Sequence, residues 1–240
     1  MDKLYTKYPF YGARRLSVNL PIGFQPVNVK KVRRLMKLME IVAIYPKPSL
    51  SLPDLHHKIY PYLLRGKKIE RVNQVWSTDI TYVPMESGFL YLCAVVDWYS
   101  RYILSWEISN TLTTDFCLKA VNDALRRGQK PEIFNTDQGS QFTSNDFTKI
   151  LIDQGILVSM DGKGRALDNI FVERFWRTIK YEDIYLKEYK DGKALFEGLL
   201  EYIQFYNYER KHQSLLYLTP NQVFNERLPI SKNSTIITKT

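Results

Sequence analysis

The order of apolar runs between Val75 and Met160 restricts the fold more than any other feature of this sequence. Five runs are rich in β-branched and aromatic residues, as strands are, and they cover residues 75–85, 89–100, 101–109, 132–136 and 156–160. The first three follow one another closely, which predicts an antiparallel meander. Helical patterns at 113–127 and 144–154 separate the last three, so the fourth strand follows a long crossover and is predicted to lie parallel to the first.

A third helical pattern follows the fifth run, and the residues predicted to pack inward on it are Val172, Phe175, Trp176 and Ile179. Ser144 is predicted to cap the second helical pattern and Gly155 to end it. The complete order is therefore three strands, a helix, a strand, a helix, a strand and a helix. This order predicts an α/β domain with the five-stranded mixed sheet, flanked by helices, of ribonuclease H-like folds. One more helix is predicted over 191–209, with these residues on its buried side: Leu195, Phe196, Leu199, Leu200, Tyr202 and Ile203.

Prolines and changes in periodicity divide the chain into five predicted segments. Four prolines between 46 and 61 forbid long helices there and mark a linker. The segments are a small all-α helix-turn-helix module at 1–45, the linker at 46–74, the sheet-containing core at 75–188, a helical extension at 189–228 and a tail at 229–240.

The N-terminal module contains two predicted helices, at 11–20 and 29–41, with Pro21 ending the first and Asn28 capping the second. The apolar face of the second consists of Val29, Val32, Leu35, Met36 and Met39. A short helix, a turn and a basic helix are typical of a helix-turn-helix. Its candidate DNA contacts are Arg14, Arg15, Lys30, Lys31, Arg33, Arg34 and Lys37.

The charge of the chain is concentrated at its start. Residues 1–74 hold 15 Lys and Arg against 4 Asp and Glu, a net charge of +11, whereas the whole chain carries +9. A basic third on a nearly neutral body predicts a polyanionic partner, the alternative being a merely solvated basic surface.

Several protein classes are disfavoured by what the sequence contains. Cys93 and Cys117 lie in apolar patterns without a CxxC pair, so we expect buried, reduced thiols and no zinc site. No apolar run approaches the roughly 20 residues needed to cross a bilayer, and the N-terminus has no signal-peptide pattern. We expect a soluble cytoplasmic protein without membrane contact.

Three acidic residues are candidates for a metal site. Asp79 lies in the first predicted strand, Asp137 ends the fourth, and Glu173 lies in the last core helix, with 35 residues between it and Asp137. If the first and fourth strands are neighbours, both aspartates reach one sheet edge. Converging carboxylates repel one another, and Mg²⁺ or Mn²⁺, most simply two ions, would relieve that repulsion and support phosphodiester chemistry. Three acids out of 25 can also meet by coincidence.

Neighbouring residues have competing interpretations. Asp97 is a rival ligand, but pairing with Arg101 or capping a turn is the simpler role. The residues 168–169 are predicted to cap the helix of Glu173. Candidate phosphate contacts are Arg177 and Lys180 on that helix, and Lys163 and Arg165 in the preceding glycine-containing loop. Three residues either line a DNA groove or pack: His212, Gln213 and Tyr217.

Several motifs resemble a known family. They are WSTDITYVP, LYLCAVVDWYSRYILSW, NTDQGSQFTS, SMDGKGRALDNIFVERFWRTIKYE and YNYERKHQSLLYLTP, preceded by YPFYGARRL and VKKVRRLMKLMEI. Together they resemble the OrfB product of insertion-sequence transposases of the IS three group, which are DDE enzymes with a retroviral-integrase-like core. The resemblance implies Asp79, Asp137 and Glu173 as catalytic metal ligands and Lys180 as a DNA contact. It further implies that donor DNA is nicked by hydrolysis and that the freed 3′-hydroxyl is joined to another phosphodiester.

The same resemblance suggests partners and a location. We expect double-stranded DNA, both element ends and target, a homo-oligomer on that DNA, an OrfA product as a further partner, and residence at the nucleoid of a bacterial cytoplasm. The OrfA-like end-recognition region is not expected within this chain. The alternatives are a retroviral-type integrase, disfavoured by the missing zinc ligands, a ribonuclease H, and a non-catalytic DNA-binding remnant resembling a repressor.

Overall fold

The computed structural model describes residues 1–20, 26–44, 58–86, 88–162 and 169–226. The chain consists of two compact units, Met1–Pro53 and Asp54–Thr240. The first unit contains helices α1 (Asp2–Lys7), α2 (Ala13–Asn19) and α3 (Val29–Leu38). The sequence analysis predicted α2 and α3 but not α1.

Packing of α2 against α3 buries one aliphatic side chain from each, Leu16 and Val32. The predicted N-cap of α3 is confirmed, because the side chain of Asn28 accepts a hydrogen bond from the Lys30 amide at 2.8 Å. The helix ends three residues earlier than predicted, where Glu40 takes a positive φ of 53°. Consequently Met39, predicted on the apolar face, is exposed.

The second unit is built on the predicted five-stranded mixed sheet. Its strands are β1 (Val75–Pro84), β2 (Phe89–Asp97), β3 (Ile103–Ser109), β4 (Ile133–Thr136) and β5 (Leu157–Met160). The strand order is β3-β2-β1-β4-β5. The first three strands pair antiparallel, whereas β4 lies parallel to both β1 and β5. The prediction that β4 follows a long crossover and lies parallel to β1 is therefore confirmed.

Helices alternate with the later strands and then continue to the end of the described chain. They are α4 (Asp115–Leu125), α5 (Asn145–Asp153), α6 (Ile170–Ile179), a π-helical turn (Lys180–Ile184), α7 (Tyr185–Lys187), α8 (Gly192–Tyr208), a 3-10 turn (Gln213–Leu215) and α9 (Pro220–Phe224). The start of α5 is capped as the sequence predicts, since Ser144 Oγ accepts from the Phe147 amide at 3.3 Å. Its end is also as predicted, at Gly155 with a φ of +71°.

Alternating side chains of β2 enter two separate cores, one on each face of the sheet. Cys93 and Val95 pack with residues of α4 and α5, whereas Leu92, Ala94 and Val96 pack with residues of α6 and α8. Both cysteines are free and buried, which confirms the interpretation of them as small apolar side chains. The sheet is thus covered by helices on both faces.

The buried stripe of α8 differs from the predicted one. Its core contacts come from Leu195, Leu199, Tyr202, Ile203 and Tyr206. Phe196 and Leu200, predicted to be buried, are 46% and 53% exposed. Both lie about 100° around the helix from Leu195 and Leu199, so they stand at the margin of the buried stripe rather than within it.

Residues 58–74, predicted as part of a linker, lie along the edge of the sheet beside β5. The Leu63 amide donates to Ser159 Oγ at 3.0 Å, and Leu64 is buried.

Among the described helices, none combines the length and apolar character that crossing a bilayer requires.

Candidate active site

The pairing of β1 with β4 brings Asp79 and Asp137 to one edge of the sheet. The last residues paired in parallel register are Ser77 and Asn135. Asp79 lies two residues beyond Ser77, and Asp137 lies two residues beyond Asn135. Because side chains alternate along a strand, each aspartate continues the face of the paired residue before it. The neighbouring strands therefore carry the two carboxylates at matching heights.

Asp79 is the most strongly perturbed carboxyl group of the site. Its pKa is raised from 3.8 to about 6, mainly by burial and in part by the negative charges of Asp137 and Glu173. Hydrogen bonds from the Trp176 indole and the Ile80 amide act in the opposite direction. Because the charges of both other acids affect the pKa of Asp79, the three predicted carboxylates lie near one another.

Asp137 follows β4 directly and is oriented by its own loop. Its Oδ1 accepts a hydrogen bond from the Gly139 amide at 2.8 Å. A Cβ atom at position 139 would lie 2.9 Å from that oxygen, so only glycine leaves the carboxylate where it is. Asp137 is solvent-accessible, yet desolvation by the surrounding protein still raises its pKa.

Glu173 lies in the first turn of α6, on the solvent-exposed side of that helix. The residues packing inward are Val172, Phe175, Trp176 and Ile179, as the sequence predicts. Trp176 follows Glu173 by three positions, a spacing that places two side chains next to each other on a helix. Since Trp176 bonds Asp79, the helix turn bearing Glu173 is tied to β1.

The predicted phosphate contacts differ in their surroundings. Lys180 is half-buried; burial lowers its pKa, and the negative charge of Asp79 raises it. Arg177 is exposed, one helical turn beyond Glu173. Lys163 and Arg165 lie outside the described residues. Lys180 also begins the π-helical turn, a rare local geometry that is common at functional sites.

Asn169 does not cap α6 with its side chain, contrary to prediction. Instead its Nδ2 donates to the backbone oxygen of Thr78 at 3.3 Å. The amide group is drawn to β1 because α6 packs directly across that strand, next to Asp79. Asp168, the other predicted cap, lies outside the described residues. Asn169 therefore fastens the beginning of α6 to the strand that carries the first acid.

Asp97 caps a turn, one of the two roles predicted for it. Its Oδ1 accepts from the Ser100 amide at 2.8 Å and from the Ser100 hydroxyl at 2.7 Å. Its Oδ2 accepts from the Asn73 amide at 2.8 Å. The carboxylate is fully buried, and these three donors occupy it.

The sequence analysis did not identify a fourth acid at this sheet edge, Asp161. It is buried, and its Oδ1 accepts from Asn135 Nδ2 at 2.7 Å. Asp161 directly follows β5 as Asp137 directly follows β4. That shared position after neighbouring parallel strands is the signal that could have identified it. Asp161 thereby connects β5 to the strand that carries Asp137.

The predicted DNA contacts of the first unit are all exposed. Arg14 and Arg15 lie on α2, and the remaining five, Lys30, Lys31, Arg33, Arg34 and Lys37, lie on α3. In the second unit His212 lines a cavity, whereas Gln213 and Tyr217 are exposed.

The donor chemistry of the three acids fits a hard divalent cation, which prefers carboxylate oxygen. Within the described part of the chain, no three or more His, Cys, Asp or Glu side chains are placed so that they could hold one ion. Asp79 and Asp137 are each hydrogen-bonded to a protein donor instead. The two carboxylates repel each other, and a bound cation would offset this repulsion and attract both.

Models of known families match most of the chain. Two integrase core domain models match residues 69–166 and 154–220, and an HTH-like domain model matches residues 1–49.

Curated relatives agree with these matches. The transposase for insertion sequence element IS904 of Lactococcus lactis is 33% identical, over 88% of this chain and 85% of that protein. Transposase InsF for insertion sequence IS3A of Escherichia coli is 30% identical, over 91% of this chain and 78% of that protein.

Solved structures share the fold of the second unit. The catalytic core domain of HTLV-2 integrase, in complex with magnesium, has a TM-score of 0.53 at 21% identity, covering 64% of this chain and 97% of that one. The catalytic core domain of BIV integrase has a TM-score of 0.51 at 16% identity, covering 65% of this chain and 95% of that one.

Proposed function

The chain belongs to the family of insertion-sequence transposases with an integrase core domain, and from this premise we propose that Asp79, Asp137 and Glu173 form its catalytic site. The enzyme is a DDE transposase: it cleaves DNA strands and transfers the resulting 3′-hydroxyl ends to new phosphodiesters. The proposal concerns which residues carry out these two steps.

One observation supports this assignment above the others. The negative charges of Asp137 and Glu173 both raise the pKa of Asp79, although the three residues come from two strands and a helix that are far apart in sequence. Among the described residues none of these three carboxylates forms an ion pair, and such a cluster of acids is typical of a cation-binding catalytic site.

The three carboxylates would hold two divalent ions, Mg²⁺ or Mn²⁺. Such ions, when bound, activate the attacking oxygen and stabilise the leaving oxygen of a phosphodiester. The family relationship supports divalent-metal dependence, and the number and identity of the ions are part of the proposal.

The remaining residues of the site bind and orient the DNA. Lys180 and Arg177 would contact the phosphates on either side of the reacting one. Trp176 holds Oδ2 of Asp79 by a hydrogen bond and thereby orients the carboxylate. In the first step water attacks the phosphorus and the 3′-oxygen leaves as a hydroxyl. In the second step that hydroxyl attacks a phosphodiester of the target, whose own 3′-oxygen leaves.

The first unit would bind double-stranded DNA with the exposed basic face of α3, supported by Arg14 and Arg15 of α2. Sequence-specific recognition of element ends, a homo-oligomer on the DNA, an OrfA product as partner, and the nucleoid as location follow as proposals from the family.

The test is cleavage of a duplex carrying an element end, with Asp137→Asn compared to wild type in Mg²⁺. The variant should bind the duplex with wild-type affinity and lose nicking by at least a thousandfold. Asp146→Asn, which changes an exposed acid on α5, is the matched control and should nick normally. Wild-type protein that binds duplex DNA without nicking it would instead favour a non-catalytic remnant. Preferential cleavage of an RNA–DNA hybrid would favour a ribonuclease H.

A further inference from the structure

A basic cavity lies beside α6, and Arg177 is the one residue that it shares with the proposed catalytic site. Its volume is about 600 Å³, within the range of sites that hold small organic ligands. It is lined by Arg101, Phe171, Arg174, Arg177, Arg210 and His212, which we call the arginine groove.

The arginine groove carries an excess of positive charge. Glu182 is the one acid among its lining residues. Its carboxylate accepts a hydrogen bond from Arg210 Nε at 2.8 Å and another from a second N–H of the same guanidinium. Among the described residues, no carboxylate lies within ion-pairing distance of Arg101, Arg174 or Arg177. Three guanidinium groups therefore line one cavity without a direct ion pair, although the buried carboxylate of Asp97 acts on Arg101 from a longer distance.

The pKa values of two groups in the groove are lowered in part by the positive charge around them. The pKa of His212 is lowered to about 4, mainly by burial and in part by the positive charges of Arg210 and Arg101, while Glu182 acts in the opposite direction. The pKa of Arg101 is lowered to about 10, mainly by burial; the charge of Arg174 contributes in the same direction, whereas Tyr206 and Asp97 oppose it. An anion in the groove would relieve this repulsion.

Arg101 is held in place before any ligand arrives. Its guanidinium lies 3.7 Å from the centroid of the Phe171 ring, and that ring packs edge-on against Trp98. The neighbouring carboxylate of Asp97 is occupied by Ser100 and Asn73. A stacked guanidinium keeps its N–H edge for planar, bidentate recognition of a phosphate.

The groove begins within one helical turn of the proposed catalytic site. Arg174 and Arg177 follow Glu173 by one and four residues on α6, which corresponds to a rise of at most about 6 Å. Exposed aromatic surface is also present, because Tyr181 lines the groove and is 66% exposed. Guanidinium groups interleaved with aromatic rings are the surface that nucleic-acid strands prefer.

We propose that the arginine groove binds backbone phosphates of the DNA strand that extends away from the cleavage site. The binding is independent of base sequence, since it uses charge and stacking rather than base edges. This inference rests on the proposed function, because the groove is useful in this way only beside a DNA-cleaving site.

The experiment measures DNA affinity against salt concentration for the full chain without divalent metal, so that no cleavage occurs. Each phosphate contact contributes about 0.9 to the slope of log affinity against log salt on duplex DNA, and about 0.7 on single strands. Arg174→Gln and Arg101→Gln should each lower the slope by about that amount and weaken binding at low salt. Arg174 is exposed, so its variant tests the inference even if Arg101→Gln fails to fold.

Arg126→Gln is the matched control. Arg126 is an exposed arginine just after α4 that pairs with Asp123, away from the groove, and its replacement should leave the slope unchanged. A wild-type slope and wild-type affinity for Arg174→Gln would overturn the inference. Nicking by wild-type protein in Mg²⁺ is measured in parallel, so that a failure of the groove is distinguished from a failure of the proposed catalytic function.

Discussion

The indole N–H of Trp176 donates a hydrogen bond to Oδ2 of Asp79 over 3.0 Å, joining the helix of one proposed metal ligand to the strand of another. The bond favours the ionised form of Asp79, which burial and neighbouring acids disfavour. It also fixes which carboxylate oxygen is committed to the protein. A tryptophan that sequence analysis identifies only as an inward-packing residue thereby orients a ligand.

Replacing this tryptophan tests that role. Trp176→Phe keeps most of the packing and removes the donor, so Asp79 should rotate more freely and hold its proton more strongly. Loss of such an orienting partner typically costs 10- to 100-fold in metal affinity or activity. We expect DNA nicking to fall by about that factor and to recover partly at high Mg²⁺.

The matched control for this variant is Trp106→Phe. Trp106 is half-buried on β3, packs against Phe196, and is separated from Asp79 by Ala94 of β2. Equal nicking by Trp176→Phe and wild type across a Mg²⁺ titration would mean that the hydrogen bond has no role in catalysis.

A second prediction concerns Gly139. Its amide holds Asp137 Oδ1 at 2.8 Å, and an added Cβ would lie 2.9 Å from that oxygen. Gly139→Ala should therefore displace the carboxylate without unfolding the protein, and nicking should fall by about 10- to 100-fold. Circular dichroism and DNA affinity should stay at wild-type values. Gly12→Ala, where a Cβ meets no atom within 4 Å, should nick normally.

The sheet and the two aspartates could be predicted from sequence because both depend on short-range patterns. Strand composition and crossover length predict that β4 runs parallel to β1, and the structure adds that the two strands are neighbours, which brings Asp79 and Asp137 together. The cap of α5 at Ser144 was predictable for the same reason, since a cap bonds an amide three residues away.

Interactions between distant elements could not be predicted in this way. Asn169 has the composition of a helix cap, but tertiary packing presents it with the Thr78 carbonyl, and that long-range bond prevails. Likewise Phe196 is as apolar as Leu195, and only the direction in which α8 packs decides which of them is buried. The groove depends on Arg101, Arg174 and Arg210, which are adjacent in space but come from separate elements.

A third prediction concerns stability through Asp97. This fully buried carboxylate accepts three hydrogen bonds, from Ser100 and Asn73. Asp97→Asn would turn an acceptor into a donor that faces N–H or O–H groups, a loss of about 1.5–3 kcal/mol for a hydrogen bond to a charged group. Urea unfolding should register a decrease of that size. Asp153→Asn, on the exposed end of α5, should change the free energy of unfolding by less than about 0.5 kcal/mol.

A fourth prediction concerns the basic face of α3. Lys31 and Arg34 are exposed and have no carboxylate partner among the described residues. If each contacts a phosphate, the double variant Lys31→Gln/Arg34→Gln should lower the salt slope of duplex binding by about two. Lys7→Gln, an exposed neutralisation at the end of α1, should leave it unchanged. An unaltered slope in the double variant would remove α3 from the DNA interface.

The final prediction concerns pH and His212. Burial and the charges of Arg210 and Arg101 lower its pKa from 6.5 to about 4, so the folded state resists its protonation. Above pH 6.5 the imidazole is neutral in both the folded and the unfolded chain and does not affect stability. Between pH 6.5 and 4 the unfolded chain binds a proton that the folded chain does not, so the free energy of unfolding decreases as pH falls.

His212→Gln removes this one contribution, and the carboxyl groups that titrate in the same range are common to both proteins. The difference in free energy of unfolding between variant and wild type should therefore be constant above pH 6.5 and shift progressively in favour of the variant down to pH 4. Urea unfolding at half-unit pH intervals measures that difference. A difference that stays constant across the whole range would mean that His212 is protonated equally easily in both states, and that the arginine groove exerts no positive field upon it.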